Sequence, residues 1–195
     1  MADSNITKKA LASALKDLMS RTPYAKISVS DICELCEMNR KSFYYHFKDK
    51  EDLVNWIFDV EFVALSRVEP DATPWESIER VVKFFYENRT FYRKVLKVEG
   101  QNSFSDHFRE LCYPVLMERM KKIFKTSKVT DFQVSFIVDG IMCALKRWLI
   151  SSECMTPEEF IEQLQSCIKL TAIHIYENIE EYEKVNKEKG EKKYE

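Results

Sequence analysis

Residues 39–53 read NRKSFYYHFKDKEDL, from Asn39 to Leu53. Four basic residues, two tyrosines, a histidine and two phenylalanines crowd around one helix boundary in this stretch. A core helix would not carry Arg40, Lys41, Tyr44, Tyr45, His46 and Lys50 together, because buried charge and unpaired polar groups are costly. A merely solvated face would not need the aromatics. The spacing resolves the conflict, since Phe43 and Phe47 fall on one side of a helix and the hydrogen-bond donors on the other. Immediately upstream, a helix over 29–36 is separated from one over 40–47 by only Glu37, Met38 and Asn39, and Asn39 is a good N-cap. This is the layout of a helix-turn-helix, whose second helix enters the DNA major groove while the first crosses the backbone.

Outward from that stretch the chain reads as all-helical. Glycine occurs only at 100, 140 and 190, and helix-start signals recur: Ser28 with Asp31, Thr73-Pro74 with Glu76, Thr130 with Gln133, Thr156-Pro157 with Glu159. These place helices near 6–21, 29–36, 40–47, 50–68, 74–99, 104–112, 114–126, 131–152 and 157–183, with Pro114 ending one helix and starting the next. The first three form a small unit with Leu11, Ala14, Leu15, Leu18, Ile32, Leu35, Phe43 and Phe47 as its core. So short a unit has a marginal core of its own. It leans on the helix from Lys50, whose Leu53, Ile57 and Val60 form one stripe while Val54, Trp56 and Phe62 lie elsewhere. The division expected is a helix-turn-helix domain over 1–50, a larger helical bundle over 51–183 and a charged tail over 184–195.

Composition narrows the function. With 45% hydrophobic and 32% charged residues, and no apolar run near the roughly 20 residues that span a bilayer, the chain reads as a cytoplasmic protein without a membrane partner. Its N-terminus lacks the continuous apolar segment of a signal peptide. Net charge is −2, but residues 1–50 carry nine Lys/Arg against six Asp/Glu, +3, which leaves −5 for the remainder. The N-terminal part is the candidate polyanion binder.

At this point Ser28, Val29 and Ile32, followed by CEMNRKSFYYHFKDKEDL, resemble the helix-turn-helix of the tetracycline-repressor-like (TetR/AcrR) transcription regulators. The resemblance covers residues 6–56 well. Farther on, FIVDGIMCALKRWL and TPEEFIEQLQ are similar to the last two helices of that family's C-terminal domain, with Gly140 and Trp148 where many relatives carry them. Glu37 departs from the glycine frequent in the family's turn. The resemblance implies that Arg40, Lys41, Ser42 and Tyr45 face base edges while Tyr44, His46 and Lys50 hold phosphates. The helix dipole gives Lys50 independent support, because a cation in the first turn is disfavoured until an anion arrives there. Ser28, capping the preceding helix, can act likewise. The family also implies an effector cavity, for which the aromatic residues of the C-terminal half, Trp75, Phe84, Phe85, Tyr92, Phe104 and Phe108 among them, are either lining or plain core. The segments around Ile137, Ile141, Leu145 and Trp148 and around Leu164 and Ile168 are apolar on more than one face. They point to a homodimer through a four-helix bundle.

Other chemistries fare worse. Cys33 and Cys36 form a Cys-x-x-Cys, but a second pair of the kind structural zinc sites use is missing, and the six cysteines read as free thiols. His46, His107 and His174 lie far apart in sequence with no nucleophile motif, and no phosphate-cradling loop can be built from the glycines. No cofactor, metal or catalytic residue is assigned. The sequence therefore points to a sequence-specific regulator on a palindromic double-stranded operator, acting as a repressor released by a small-molecule effector. The alternatives are an activator triggered by a protein co-regulator and a cysteine-based metal or redox sensor.

Overall fold

The computed structural model describes residues 2–66, 73–97, 103–124 and 129–177. Among these, every regular element is helical: α1 Ala2–Arg21, a single 3-10 turn at Tyr24–Lys26, α2 Val29–Leu35, α3 Arg40–His46, α4 Lys50–Ser66, α5 Pro74–Glu87, α6 Arg89–Val95, α7 Phe104–Phe124, α8 Asp131–Ile150 and α9 Pro157–Glu177. Residues up to Cys154 form one unit, and Met155 onward, which contains α9, forms a second. The expected tail over 184–195 lies outside the described residues.

Each helix start read from the sequence is closed by side chains. Reciprocal capping boxes form at Ser28 with Asp31, Thr73 with Glu76, and Thr130 with Gln133. Thr156 and Glu159 exchange the same pair of bonds, at 2.8 and 3.2 Å. Each satisfies two backbone donors that a helix leaves orphaned.

Two boundaries differ from expectation. The helix expected over 74–99 breaks at Asn88, whose Nδ2 donates to the Phe84 carbonyl at 2.9 Å and whose backbone N–H ends α5 on the same carbonyl. Asparagine competes with the helix for its own backbone, and here it wins. Conversely, α7 continues through Pro114. Pro114 is exposed, as is Glu110, whose carbonyl loses its helical donor, while Cys112, Tyr113, Leu116 and Met117 pack against the buried Met120, Val134 and Val138. That packing outweighs the ~3 kcal/mol a helical proline costs.

In the first unit, α1 packs on α2, α3 and α4, burying Leu11, Ala14, Leu15, Met19, Ile32, Cys33, Phe43 and Phe47 with Leu53, Val54 and Ile57. Leu35, expected in this core, and Val60, expected in the apolar stripe of α4, are instead 40% and 45% exposed. Beyond it, α4 to α7 enclose a cluster of rings around Phe58, which is 0% exposed and lies 4.8 to 6.2 Å, centroid to centroid, from Phe62, Phe84, Phe85, Tyr92, Phe104 and Phe108. Between α7 and α8 a polar seam joins Arg109 to Asp139 at 2.7 Å and Tyr113 to Asp131 at 2.7 Å.

A second set of expectations is corrected here. Leu145 and Trp148, assigned from sequence to a contact between copies, are each 4% exposed within the chain. Trp148 stacks on Tyr86 at 5.9 Å. Both are packed in the chain's own core.

Candidate nucleic-acid interface

The turn between α2 and α3 is built on one unusual residue. Glu37 takes φ 55°, the left-handed region in which glycine is at ease and a side chain is not. Its sequence position is the one where the family resemblance leads one to expect glycine. The turn closes when the Met38 N–H donates to the Cys33 carbonyl at 2.8 Å. Asn39 then opens α3, its Oδ1 accepting from the Ser42 N–H at 2.8 Å and from the Ser42 hydroxyl at 3.1 Å.

Beneath α3, Phe43 and Phe47 are 0% and 3% exposed and anchor the helix. Above it, Tyr45 is 82% exposed, the most open large ring among the described residues, and Tyr44 is 50% exposed. Arg40 and Lys41 are exposed, and Ser42 and His46 are half-buried. Arg40 lies over the Tyr44 ring at 5.8 Å with its guanidinium 3.5 Å from the hydroxyl, so the pair brace one another one turn apart. The Tyr45 and His46 rings meet edge to face at 4.9 Å. The result is a rigid floor of phenylalanine carrying an outer face of flat rings and cations. Such a face can hydrogen-bond base edges and phosphates at once.

Two residues expected to hold phosphates are placed differently. Lys50 does not reach outward: its ammonium donates to the carbonyls of Tyr24 and Ile27, at 3.0 and 2.9 Å, and sits 4.4 Å from the centre of the Tyr24 ring. Ser28 is exposed, but its hydroxyl donates to Asp31 at 2.8 Å. The Ser28 backbone N–H, donating to the same carboxylate at 2.7 Å, and then this hydroxyl hold Asp31 below its usual range, which keeps a negative charge at the N-terminus of α2. Lys48, missed in the assignment although it stands in the opening stretch, is exposed immediately after α3. Lys8 lies over the Phe47 and Trp56 rings at 5.6 and 5.8 Å, tying the start of α1 to the end of α3 and to α4.

The cysteine pair is part of the scaffold. Cys33 is 2% exposed, and the Cys36 thiol donates to the Ile32 carbonyl at 3.2 Å. Burial pushes both thiols above their ordinary pKa. Among the described residues no group of three His, Cys, Asp or Glu side chains is placed to hold a metal ion. No described helix is long and apolar enough to cross a membrane.

A capped helix-turn-helix with a donor-rich second helix, mounted on a helical body, defines the class of helix-turn-helix transcriptional regulators. The profile of bacterial regulatory proteins of the tetR family matches residues 11–57, and that of a transcriptional regulator C-terminal region matches 73–170. Over 171 residues, 87% of each chain, the sequence is 31% identical to the HTH-type dhaKLM operon transcriptional activator DhaS of Lactococcus lactis. A solved structure of the dihydroxyacetone kinase operon activator DhaS is 27% identical and superposes with a TM-score of 0.56, covering 85% of this chain and 97% of its own. A TetR transcriptional regulator from Streptococcus agalactiae, 24% identical, shares the fold with a TM-score of 0.62 over 86% of this chain and 96% of its own. The chain belongs to the TetR family of bacterial transcriptional regulators.

Proposed function

We propose that this regulator recognises a palindromic operator in double-stranded DNA as a homodimer, with α3 of each copy in the major groove. The observation that carries the reading is Tyr45, 82% exposed directly above a fully buried Phe43 and one turn from the exposed Lys41. A tyrosine held open on a rigid floor offers a flat apolar face and a hydroxyl together, the combination that can meet base edges in a groove. Lys41 and Tyr45, with Arg40 and Ser42, take the base-reading role, while Tyr44, His46 and Lys48 take phosphates. Residues 1–50 serve as the reading head and 51–183 as the body that joins copies and receives the signal, in the cytoplasm.

The pairing surface follows from what α8 leaves open. Phe132 and Phe136 are 77% and 72% exposed and stack at 6.3 Å; Gly140 and Cys143 continue the same side, and apart from the helix's own neighbouring backbone no atom stands within 4 Å of where a Cβ on Gly140 would sit. A bare glycine lets another helix approach closely. Ile137 and Ile141 border this stripe half-buried. In the second unit, taken by itself, α9 has Leu164 half-buried and Ile168 and Leu170 49% and 65% exposed. Operator half-sites one helical turn apart, about 34 Å, suit such a dimer.

For the signal, a protein co-regulator is better supported than a small molecule. The rings around Phe58 stand 4.8 to 6.2 Å from it, centroid to centroid, and the void of about 10 Å³ beside Tyr24 and Phe104 holds a water at most. A shallow cleft of about 200 Å³ near Lys16 and Phe91 is open to solvent and falls below the usual size of ligand sites. The similar DhaS is named an activator, and activation through a protein partner needs no cavity. The test is selection of duplexes from a random pool by the intact protein, followed by titration of the recovered duplex with the Tyr45→Ala variant. The variant is expected to lose its preference for the recovered sequence; an unchanged preference would overturn the assignment of α3.

A further inference from the structure

We infer that Lys50 is a positioning residue, which sets α2 and α3 for DNA by gripping the linker ahead of α2 and makes no phosphate contact of its own. Lys50 and Glu51 open α4 side by side, and together they hold Tyr24 at both ends. The ammonium takes the Tyr24 carbonyl at 3.0 Å and the face of its ring at 4.4 Å, and the Tyr24 hydroxyl donates to Glu51 Oε1 at 3.1 Å. The same ammonium takes the Ile27 carbonyl at 2.9 Å. Ile27 immediately precedes Ser28, the N-cap of α2, so one cation fixes the residue from which the first helix of the motif departs.

The donor count leaves little for DNA. An ammonium has three N–H bonds; two go to carbonyls and the Tyr24 ring faces the cation. The two carbonyls also remove the dipole conflict of a lysine at the first residue of a helix, since they stand where an incoming anion would. Tyr24 itself is 3% exposed and borders the small void shared with Val95 of α6 and Phe104 of α7. The grip therefore ties the linker to α4 at the place where the body begins. A change in how α4 packs would reach Ser28 through this one side chain.

The inference rests on α3 being the DNA reader, and the test separates the two. The probe is a duplex recovered from a random pool by the intact wild-type protein, compared with its scrambled sequence across a salt series, at temperatures where circular dichroism shows every variant folded. If wild type does not distinguish the duplexes, the reading of α3 fails. If it does, Lys50→Met is expected to lose roughly tenfold in preference for the recovered duplex. Its slope of log affinity against log salt is expected to stay at the wild-type value, because no phosphate contact is removed. A slope reduced by about 0.9 per protomer, with both duplexes weakened alike, would make Lys50 a phosphate contact and overturn the inference. No change in either quantity would reduce it to a structural residue and overturn it too. Amine-reactive labelling of wild type without DNA serves if Lys50→Met does not fold. Lys50 should then react far more slowly than the exposed Lys41 and Lys48, and equal reactivity would contradict the grip.

Discussion

Two groups of aromatic residues lie within one unit of this chain and behave in opposite ways. Around Phe58 the rings, apart from the half-buried Phe62, are buried and nearly all phenylalanine, and the polar tip of Tyr92 is accounted for by Glu61, 3.5 Å from its hydroxyl. On α3 the outward rings are tyrosines and a histidine, with Arg40 and Lys41 beside them. Burial suits rings without polar tips; a surface that must meet polyanions needs rings with them. A third group, Phe132 and Phe136 on α8, is exposed yet has no donor to offer. That combination suits neither water nor DNA, and a second copy of the same face would satisfy it, as the proposed dimer requires.

The contrast can be broken most forcefully at its buried end. Phe58→Ala is expected to lower unfolding free energy by about 3–5 kcal/mol, measured by urea denaturation, because it empties the centre of the ring cluster. A loss below about 1 kcal/mol would mean the cluster is loosely packed and leave room for a ligand after all. Next in size, replacing both Phe132 and Phe136 by serine should weaken association between copies by about 2–4 kcal/mol in sedimentation experiments while leaving the fold intact. Unchanged association would move the dimer contact elsewhere.

Smaller effects sharpen the account of the reading head. Asn39→Ala removes the cap of α3 and should cost about 1 kcal/mol of stability. The Asp31 carboxylate, held below its usual range by bonds from Ser28, contributes its capping box fully above the unfolded carboxylate pKa. That contribution is lost as pH falls through the lowered folded value, and Asp31→Asn should flatten this part of the acid-unfolding profile. Glu37→Gly is the smallest change: it should raise stability by a few tenths to about 1 kcal/mol, since relief of the left-handed strain is partly offset by glycine's greater freedom when unfolded.

The legible parts of the sequence were those governed by local rules. Asn39, Ser28, Thr73, Thr130 and Thr156 marked helix starts because caps act within three residues. Phe43 and Phe47 marked the inner side of α3 because helical spacing leaves them no other place. Tertiary competition decided the rest. Asn88 could have passed as an ordinary helical residue until its side chain took the Phe84 carbonyl, and Pro114 reads as a stop unless α8 holds the helix on both sides. Leu145 and Trp148 look the same in sequence whether a partner or the chain's own α5 covers them. Lys50 is the sharpest case, because the other cations of the motif, Arg40, Lys41 and Lys48, are exposed. Only the distant backbone of Tyr24 and Ile27 shows where its ammonium goes.

The central claim, that the open face of α3 reads sequence, is tested most directly by a paired titration. Wild type and Tyr45→Ala are measured against the recovered duplex and its scramble at several salt concentrations. The account predicts a loss of roughly 1–3 kcal/mol on the recovered duplex, little change on the scramble and an unaltered salt slope. Equal weakening on both duplexes, or no weakening on either, would contradict it.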